Sequence, residues 1–238
     1  MHDFTDKVVV ITGAAGNVGQ AAANAFHGAH ANLALVDRRS DRLAGIFPQF
    51  AEIKNHLLLN NVDLSDEEKV NRGVDEIITR FGRIDVLVNT AGGYRAGQTL
   101  EETGLETWDL MFKLNAQSVF LVSKAVIPHM KAQSSGKIIN ISALAALSGK
   151  PKMAVYLAAK DAVIRLSESM AEELRSFKIN VNTLLPSTID TPSNRAANPN
   201  SNYDNWVKPG AIAEVILFLA TPAARSIYGA SIPVRGPC

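Results

Sequence analysis

Short apolar runs alternate with longer amphipathic stretches along the whole chain. Lys7–Thr12 carries an unbroken β-branched run, the pattern of a strand buried on both faces. Asn32–Val36, His56–Leu59, Ile84–Val88, Ile138–Ile141 and Ile179–Leu185 repeat that pattern, and Ser231–Val234 is a candidate last strand. Between them the spacing predicts helices over Val18–Ala29, over Asp41–Glu52 with Asp41 or Ser40 as its cap, and over Asp66–Phe81. Trp108–Met130 and Ala154–Phe177 read as long helices with apolar residues on more than one face, among them Phe112, Val119, Phe120 and Val126 on the first, and Val163, Leu166, Met170 and Leu174 on the second. Strands that alternate with helices build βαβ units, so the expected fold class is α/β: one domain over 1–238, a doubly wound parallel sheet of about seven strands with helices on both faces. Pro186–Pro209 is irregular and rich in Pro, Asn and Ser. A loop of that length either covers a site or is disordered.

Composition narrows the classes. Of 238 residues, 47% are hydrophobic and 20% charged, close to globular averages. The 24 Lys and Arg against 23 Asp and Glu leave a formal charge of +1, with no electrostatic case for nucleic acid or an anionic membrane. The single cysteine, Cys238, excludes an internal disulfide and fits a reducing compartment. Asp3 and Asp6 stand where a signal peptide carries positive charge, and the apolar runs Val8–Ile11 and Val215–Ala220 are far shorter than the ~18 residues of a membrane span. The expectation is a soluble cytoplasmic protein. His2, His27, His30, His56 and His129 are scattered without ligand spacing, so no metal site is expected.

Two clusters carry candidate chemistry. Gly13, Gly16 and Gly19 follow the first strand and open the first helix, with Asn17 and Val18 between the last two. Such a turn lets backbone approach a pyrophosphate closely, and the helix N-terminus offers free N–H groups and a positive dipole end. The spacing is Gly-x-x-Gly-x-x-Gly rather than the common Gly-x-Gly-x-x-Gly, and by itself it also suits an ordinary strand–helix turn. Asp37 ends the second strand 18 residues beyond Gly19, where an acid bonds the ribose hydroxyls of NAD and repels a 2′-phosphate. Arg38 and Arg39 follow it and could pair with such a phosphate. NAD(H) is therefore the favoured cofactor and NADP(H) stays possible. In the second cluster, Tyr156 and Lys160 are an i, i+4 pair on one helix face. A free Tyr titrates near ~10, and a neighbouring cation lowers that value, which would suit the phenol to proton donation.

From Lys7 to Gly236 the chain resembles the short-chain dehydrogenases/reductases, a family with a Rossmann-type fold. The matches fall in that family's order: Gly13–Gly19, Asp63, Asn89-Thr90-Ala91-Gly92, Asn115, Ser142, Tyr156 with Lys160, and Pro186. The resemblance implies an NAD(P)(H)-dependent oxidoreductase moving a hydride between nicotinamide and a carbonyl/alcohol substrate. Tyr156 would be the acid–base group, and Lys160 would lower its pKa and hold the nicotinamide ribose. Ser142 would donate to the substrate carbonyl, and Asn115 would order a helix and a proton-relaying water. Asp63 and its neighbour Leu64 (or Val62) would border the adenine, Asn89, Ala91 and Gly92 would shape the cofactor floor, and Ile189 and Thr191 would touch the carboxamide and phosphate. Read singly, Asn89 could only tie strands together, Ser142 be a satisfied buried hydroxyl, and Asn115 or Asp63 cap a helix.

Three positions depart from the family pattern. Asn17 replaces a Gly, Thr90 replaces the second Asn, and Ser187 follows Pro186 in place of Gly. The segment Leu185–Arg195, with Pro199 and Trp206, is similar to the equivalent region of NADH-preferring dihydropteridine reductases, which share the glycine spacing. Those reductases typically lack the serine that stands here as Ser142, and its presence argues for a carbonyl or alcohol. In the family the two long helices pack across a two-fold axis, so a homo-oligomer, dimer or tetramer, is expected. The competing reading from another class is a non-catalytic dinucleotide-binding regulator.

Overall fold

The computed structural model describes residues 2–40, 42–50 and 53–237. Seven strands form one parallel sheet: β1 (Val8–Thr12), β2 (Asn32–Val36), β3 (His56–Leu59), β4 (Val86–Asn89), β5 (Gly136–Ile141), β6 (Ile179–Pro186) and β7 (Ser231–Val234). Their order is β3-β2-β1-β4-β5-β6-β7. The order reverses between β1 and β4, the place where open α/β sheets leave a crevice beyond the strand ends. Register there pairs Val10 with Ala34 on one side and Leu87 on the other.

The helices are α1 (Asn17–Gly28), α2 (Arg42–Ile46), α3 (Glu67–Phe81), α4 (Leu105–Phe112), α5 (Ser118–Gln133), α6 (Ala154–Leu174), α7 (Pro192–Ala197) and α8 (Pro209–Ala220). Alternate strand residues feed two cores. Val9, Ile11, Leu33 and Leu35 pack with Phe26 of α1 and with Ile212 and Ile216 of α8. Val8, Val10, Ala34 and Val36 pack with Val74 of α3, Val122 of α5 and Leu174 of α6. This explains the continuous apolar strands, since both faces are covered.

Two helices differ from the sequence expectation. Asp41–Glu52 is not one helix: α2 stops at Ile46 and a 3-10 turn spans Pro48–Phe50. Pro48 has no N–H to donate and its ring clashes with a preceding turn. Asp41, one of the two proposed caps, lies outside the described residues, as does Cys238. Trp108–Met130 begins earlier, at Leu105, and is broken by a π-helical turn over Lys113–Gln117. The stretch Leu105–Gln133 is long and apolar enough by composition to cross a membrane, and half of its most apolar window is buried in this fold. The α3 start follows a local rule: Asp66 accepts from the Lys69 N–H at 3.2 Å, and Gly82 ends the helix at φ 74°. Between α1 and β3, His27 Nδ1 and His56 Nε2 lie 2.9 Å apart, with the Phe50 ring against both.

The segment 186–209 is ordered. Asp190 N–H donates to Val207 O at 2.8 Å and Val207 N–H to Thr188 O at 2.9 Å, closing its base. Arg195 donates to both Asp190 carboxylate oxygens, at 2.6 and 2.8 Å, and lies 4.6 Å from the Tyr203 ring centroid.

Candidate active site at the strand ends

The glycine turn leaves β1 at Gly13, whose φ is +62°. A Cβ there would stand 2.6 Å from Ala91 Cα, so two backbones touch where β1 and β4 end. A Cβ on Gly19 would meet Ala14 Cα at 2.7 Å and Thr90 Oγ1 at 2.9 Å, which makes Gly19 a packing glycine for α1. Asn17 is the first residue of α1 and is not among the positive-φ residues, so the exchange for Gly brings no left-handed backbone strain there. Thr90 Oγ1 donates to Thr12 O at 2.6 Å and seals the turn from the β4 side.

Beyond the turn lies a cleft of about 220 Å³. Gly13, Gly16, Asp37, Arg38, Asp63, Leu64, Ala91 and Gly92 line it together, although they come from four segments of the chain. Asp37 is 8% exposed; its carboxylate accepts from Ala15 N–H at 3.3 Å and from Arg39 N–H at 3.1 Å. Sequence reasoning passed over Arg42, Lys113, Leu114 and Ser118, which line the same cleft. The first sits just past Asp37 and was legible as a third arginine; the others come from the π-turn region, which has no sequence signature. Asp63 turns onto Ser65, accepting from its N–H at 3.0 Å and its hydroxyl at 2.8 Å, and these bonds hold its carboxyl below the usual range. A narrow turn with no room for side chains, a buried acid and adjoining arginines fits a dinucleotide.

Asn89 is spent on the sheet. It accepts from Thr12 Oγ1 at 3.2 Å and donates to Asn140 at 2.9 Å, and Asn140 donates to Ser167 on α6 at 2.8 Å. This buried polar chain crosses from β1 to α6.

Asn115 and Lys160 meet beside Gly92 and Gly93, Ser142 is tied to the Lys160 backbone, and Tyr156 packs on Tyr94, the residue after Gly93. Asn115 sits in the π-turn; its amide donates to Gly93 O at 3.1 Å and Met111 O at 2.9 Å and accepts from Gly93 N–H at 3.2 Å. A Cβ on Gly92 would lie 2.9 Å from Asn115 Oδ1 and 3.2 Å from Lys160 Nζ. The Ser142 hydroxyl donates to Lys160 O at 2.7 Å, and Lys160 Nζ donates to Ile141 O at 3.0 Å. Burial pushes Lys160 down to about 8.

Tyr156 corrects an expectation. Its phenol is pushed up to about 12, first by burial and then by the neighbouring Tyr94. Lys160 turns its ammonium to a backbone carbonyl, and the loss of water around the phenol outweighs any attraction from that charge. Tyr94 meets Tyr156 edge-to-face with centroids 4.9 Å apart and is itself 65% exposed. Ile189 bridges Val207, and Thr191 caps α7 by accepting from Asn194 N–H at 3.1 Å; neither lines the cleft. Pro186 ends β6, in register with Val234. Among the described residues no group of three His, Cys, Asp or Glu is placed to hold a metal ion.

Known proteins resemble this chain in sequence and in fold. Meso-2,3-butanediol dehydrogenase of Serratia marcescens is 33% identical over 98% of this chain and 94% of its own. The 3-oxoacyl-[acyl-carrier-protein] reductase of Thermotoga maritima is 30% identical over 97% and 96%. Among solved structures, NAD+-bound xylitol dehydrogenase superimposes with TM-score 0.89 at 27% identity, covering 98% of this chain and 99% of that one. NADP-bound ElxO does so with TM-score 0.88 at 28% identity, covering 96% of each. The sequence profile described as short chain dehydrogenase matches residues 7–202. By that match and by these relatives, the chain belongs to the short-chain dehydrogenase family.

Proposed function

We propose that this chain is a nicotinamide-dinucleotide-dependent oxidoreductase that interconverts a carbonyl and an alcohol on a small molecule. The observation that carries the reading is the convergence of Asn115 and Lys160 on Gly92 and Gly93 at the edge of the glycine-turn cleft, with Ser142 bonded to the Lys160 carbonyl and Tyr156 packed on the adjoining Tyr94. When bound, the nicotinamide supplies or accepts the hydride. The residues then handle the proton and the oxygen. Tyr156, with its phenol held protonated by burial, donates its proton to the oxygen as that becomes an alkoxide and is left as phenolate, which solvent reprotonates; in the oxidising direction the phenolate is the form that takes the alcohol proton. Ser142 rotates its hydroxyl from Lys160 O toward the substrate oxygen. Lys160 keeps a cation beside Gly92 while it stays protonated and would hold the nicotinamide ribose, and Asn115 keeps the Gly93 backbone in place against the π-turn. Gly13, Gly16, Asn17, Val18 and Gly19 would take the phosphates, and Asp63 and Leu64 the adenine. Ile189 and Thr191 would approach the carboxamide end.

The cofactor preference is assigned to NAD(H), on the buried carboxylate of Asp37. Arg38, Arg39 and Arg42 line the cleft as well and leave measurable NADP(H) use. The exposed apolar face of α4 and α5, with Trp108 stacked on Phe112 at 4.3 Å and Phe120 48% exposed, supports assembly into dimers or tetramers.

The test is turnover with a panel of vicinal diols, ketones, 3-oxoacyl thioesters and quinonoid dihydropterin, with NADH and NADPH in parallel. Reduction of a ketone or thioester, abolished in Tyr156→Phe while dinucleotide binding persists, is the expected result. Turnover by Tyr156→Phe at the normal rate would overturn the acid–base assignment. Fast pterin turnover would favour the imine-reducing alternative, and dinucleotide binding without any turnover the regulator.

A further inference from the structure

A second, larger cavity lies at the opposite end of the sheet, where the strands begin. Its volume is about 900 Å³, toward the top of the ~300–1,000 Å³ common for small-molecule sites. The reaction proposed above has no use for it.

Its lining is basic. Lys7, Lys137, Arg175, Lys178 and Arg225 line it together with Asp3 and Asp85, Lys137 half-buried and the other cations exposed. Asp85 is already neutralised: it accepts from Arg83 at 2.8 and 2.6 Å, from Lys7 at 3.4 Å and from Val8 N–H at 3.0 Å. Asp3, also on the wall, turns to Thr5. Lys137, Lys178 and Arg225 form no ion pair with a described carboxylate. Arg175 reaches Glu172 only at 3.9 Å and lies 5.7 Å from the Tyr228 ring centroid.

The cations stand on a built floor. Lys137 and Asn180 are register partners on β5 and β6, and the ammonium donates to Asn180 Oδ1 at 2.6 Å. Asn180 is 3% exposed, and its amide also donates to Arg225 O at 3.0 Å and Ile227 O at 2.9 Å. Asn182 donates to Ile227 O at 2.9 Å as well. Two buried amides therefore pin the rim that carries Arg225. A half-buried ammonium whose partner is a neutral amide keeps an uncompensated desolvation cost, and burial pushes Lys137 down.

We propose that this cavity binds a small phosphate-bearing organic anion, gripped by Lys137, Lys178 and Arg225, with Tyr228 against its organic part. Three cations without carboxylate partners around one space match a multiply charged guest better than a single carboxylate. A phosphate group carries about −1.5 to −2 charges and three acceptor oxygens, and a guanidinium binds two of them at once.

Limited acetylation of the wild-type protein with peptide mapping reads the cavity directly. Pyrophosphate at millimolar concentration is expected to slow modification of Lys137 and Lys178 severalfold, leaving the exposed Lys69 and Lys124 unchanged. Arg225→Ala, checked for native circular dichroism, should need about tenfold more pyrophosphate for equal protection, the loss expected for one charge-assisted contact. Equal labelling with and without pyrophosphate overturns the site. Equal protection by citrate overturns the phosphate assignment. Because the first arm uses wild-type protein, the site is still tested if the variant fails to fold.

Discussion

Lys160 shows how burial sets chemistry at one atom. Its ammonium faces a neutral carbonyl, and with burial holding it at about 8 it begins to lose its charge just above neutral pH. Carbonyl reduction should therefore slow as pH rises through about 8, visible in initial rates from pH 6 to 10 at saturating cofactor. Stability moves the other way. Between about 8 and the ordinary lysine value of 10.5 the unfolded chain holds the proton that the folded one has released, so this group makes the fold more stable as pH rises through that window. Gly13 is the second residue with a sharp expectation. A Cβ at φ +62° and 2.6 Å from Ala91 Cα forces strain into the turn, which at about 1–3 kcal/mol should weaken dinucleotide binding about tenfold or more in Gly13→Ala. Isothermal titration of the variant checks this. The turn and its acid were legible because glycine spacing and a strand-ending Asp are local signals. The direction of the Tyr156 shift was not, because it depends on burial and on Tyr94, which lies 62 positions away.

Elements in this fold begin and end for reasons of unequal visibility. Asp66 was legible as the start of α3, and Asp66→Ala should cost about 1 kcal/mol in urea unfolding. Pro48 was equally readable as a helix stop, because it lacks the N–H that a continuing helix needs. The π-turn over Lys113–Gln117 could not be read, since its residues suit an ordinary helix. Its dependence on Asn115 is testable. Asn115→Leu leaves the Gly93 and Met111 backbone groups without their partner, a loss of about 1–3 kcal/mol per buried group, and should lower kcat as well as the unfolding midpoint. Acid acts on another joint. The His27–His56 contact ties α1 to β3, and burial pushes His56 below its usual 6.5. The stability that goes with neutral His56 is present above pH 6.5 and is lost as pH falls below it, because the unfolded chain then binds the extra proton. Melting temperatures of His56→Gln, compared with wild type from pH 7.5 to 5, should lose that part of the slope.

At the scale of the whole molecule, both cores follow from two-sided apolar strands, which were readable throughout, whereas the strand order rests on pairings between distant segments that no local pattern carries. The basic cavity at the strand starts was not, because it is assembled from five separated stretches of chain. Assembly belongs to this scale too. Light scattering should give the mass of two or four chains, and replacing Trp108 and Phe120 by Glu together should shift it to one; a wild-type monomer would end that expectation. The segment 186–209 bears on the whole in another way. Its base is stitched by Thr188, Asp190 and Val207, and its interior by Asp190–Arg195 and by the Tyr203 hydroxyl, which donates to Pro199 O at 3.0 Å. A unit so closed on itself behaves as a cassette. Exchanged entire, it would carry its own ties with it, whereas single substitutions at Asp190, Arg195 or Tyr203 would break those ties and leave the sheet beneath untouched.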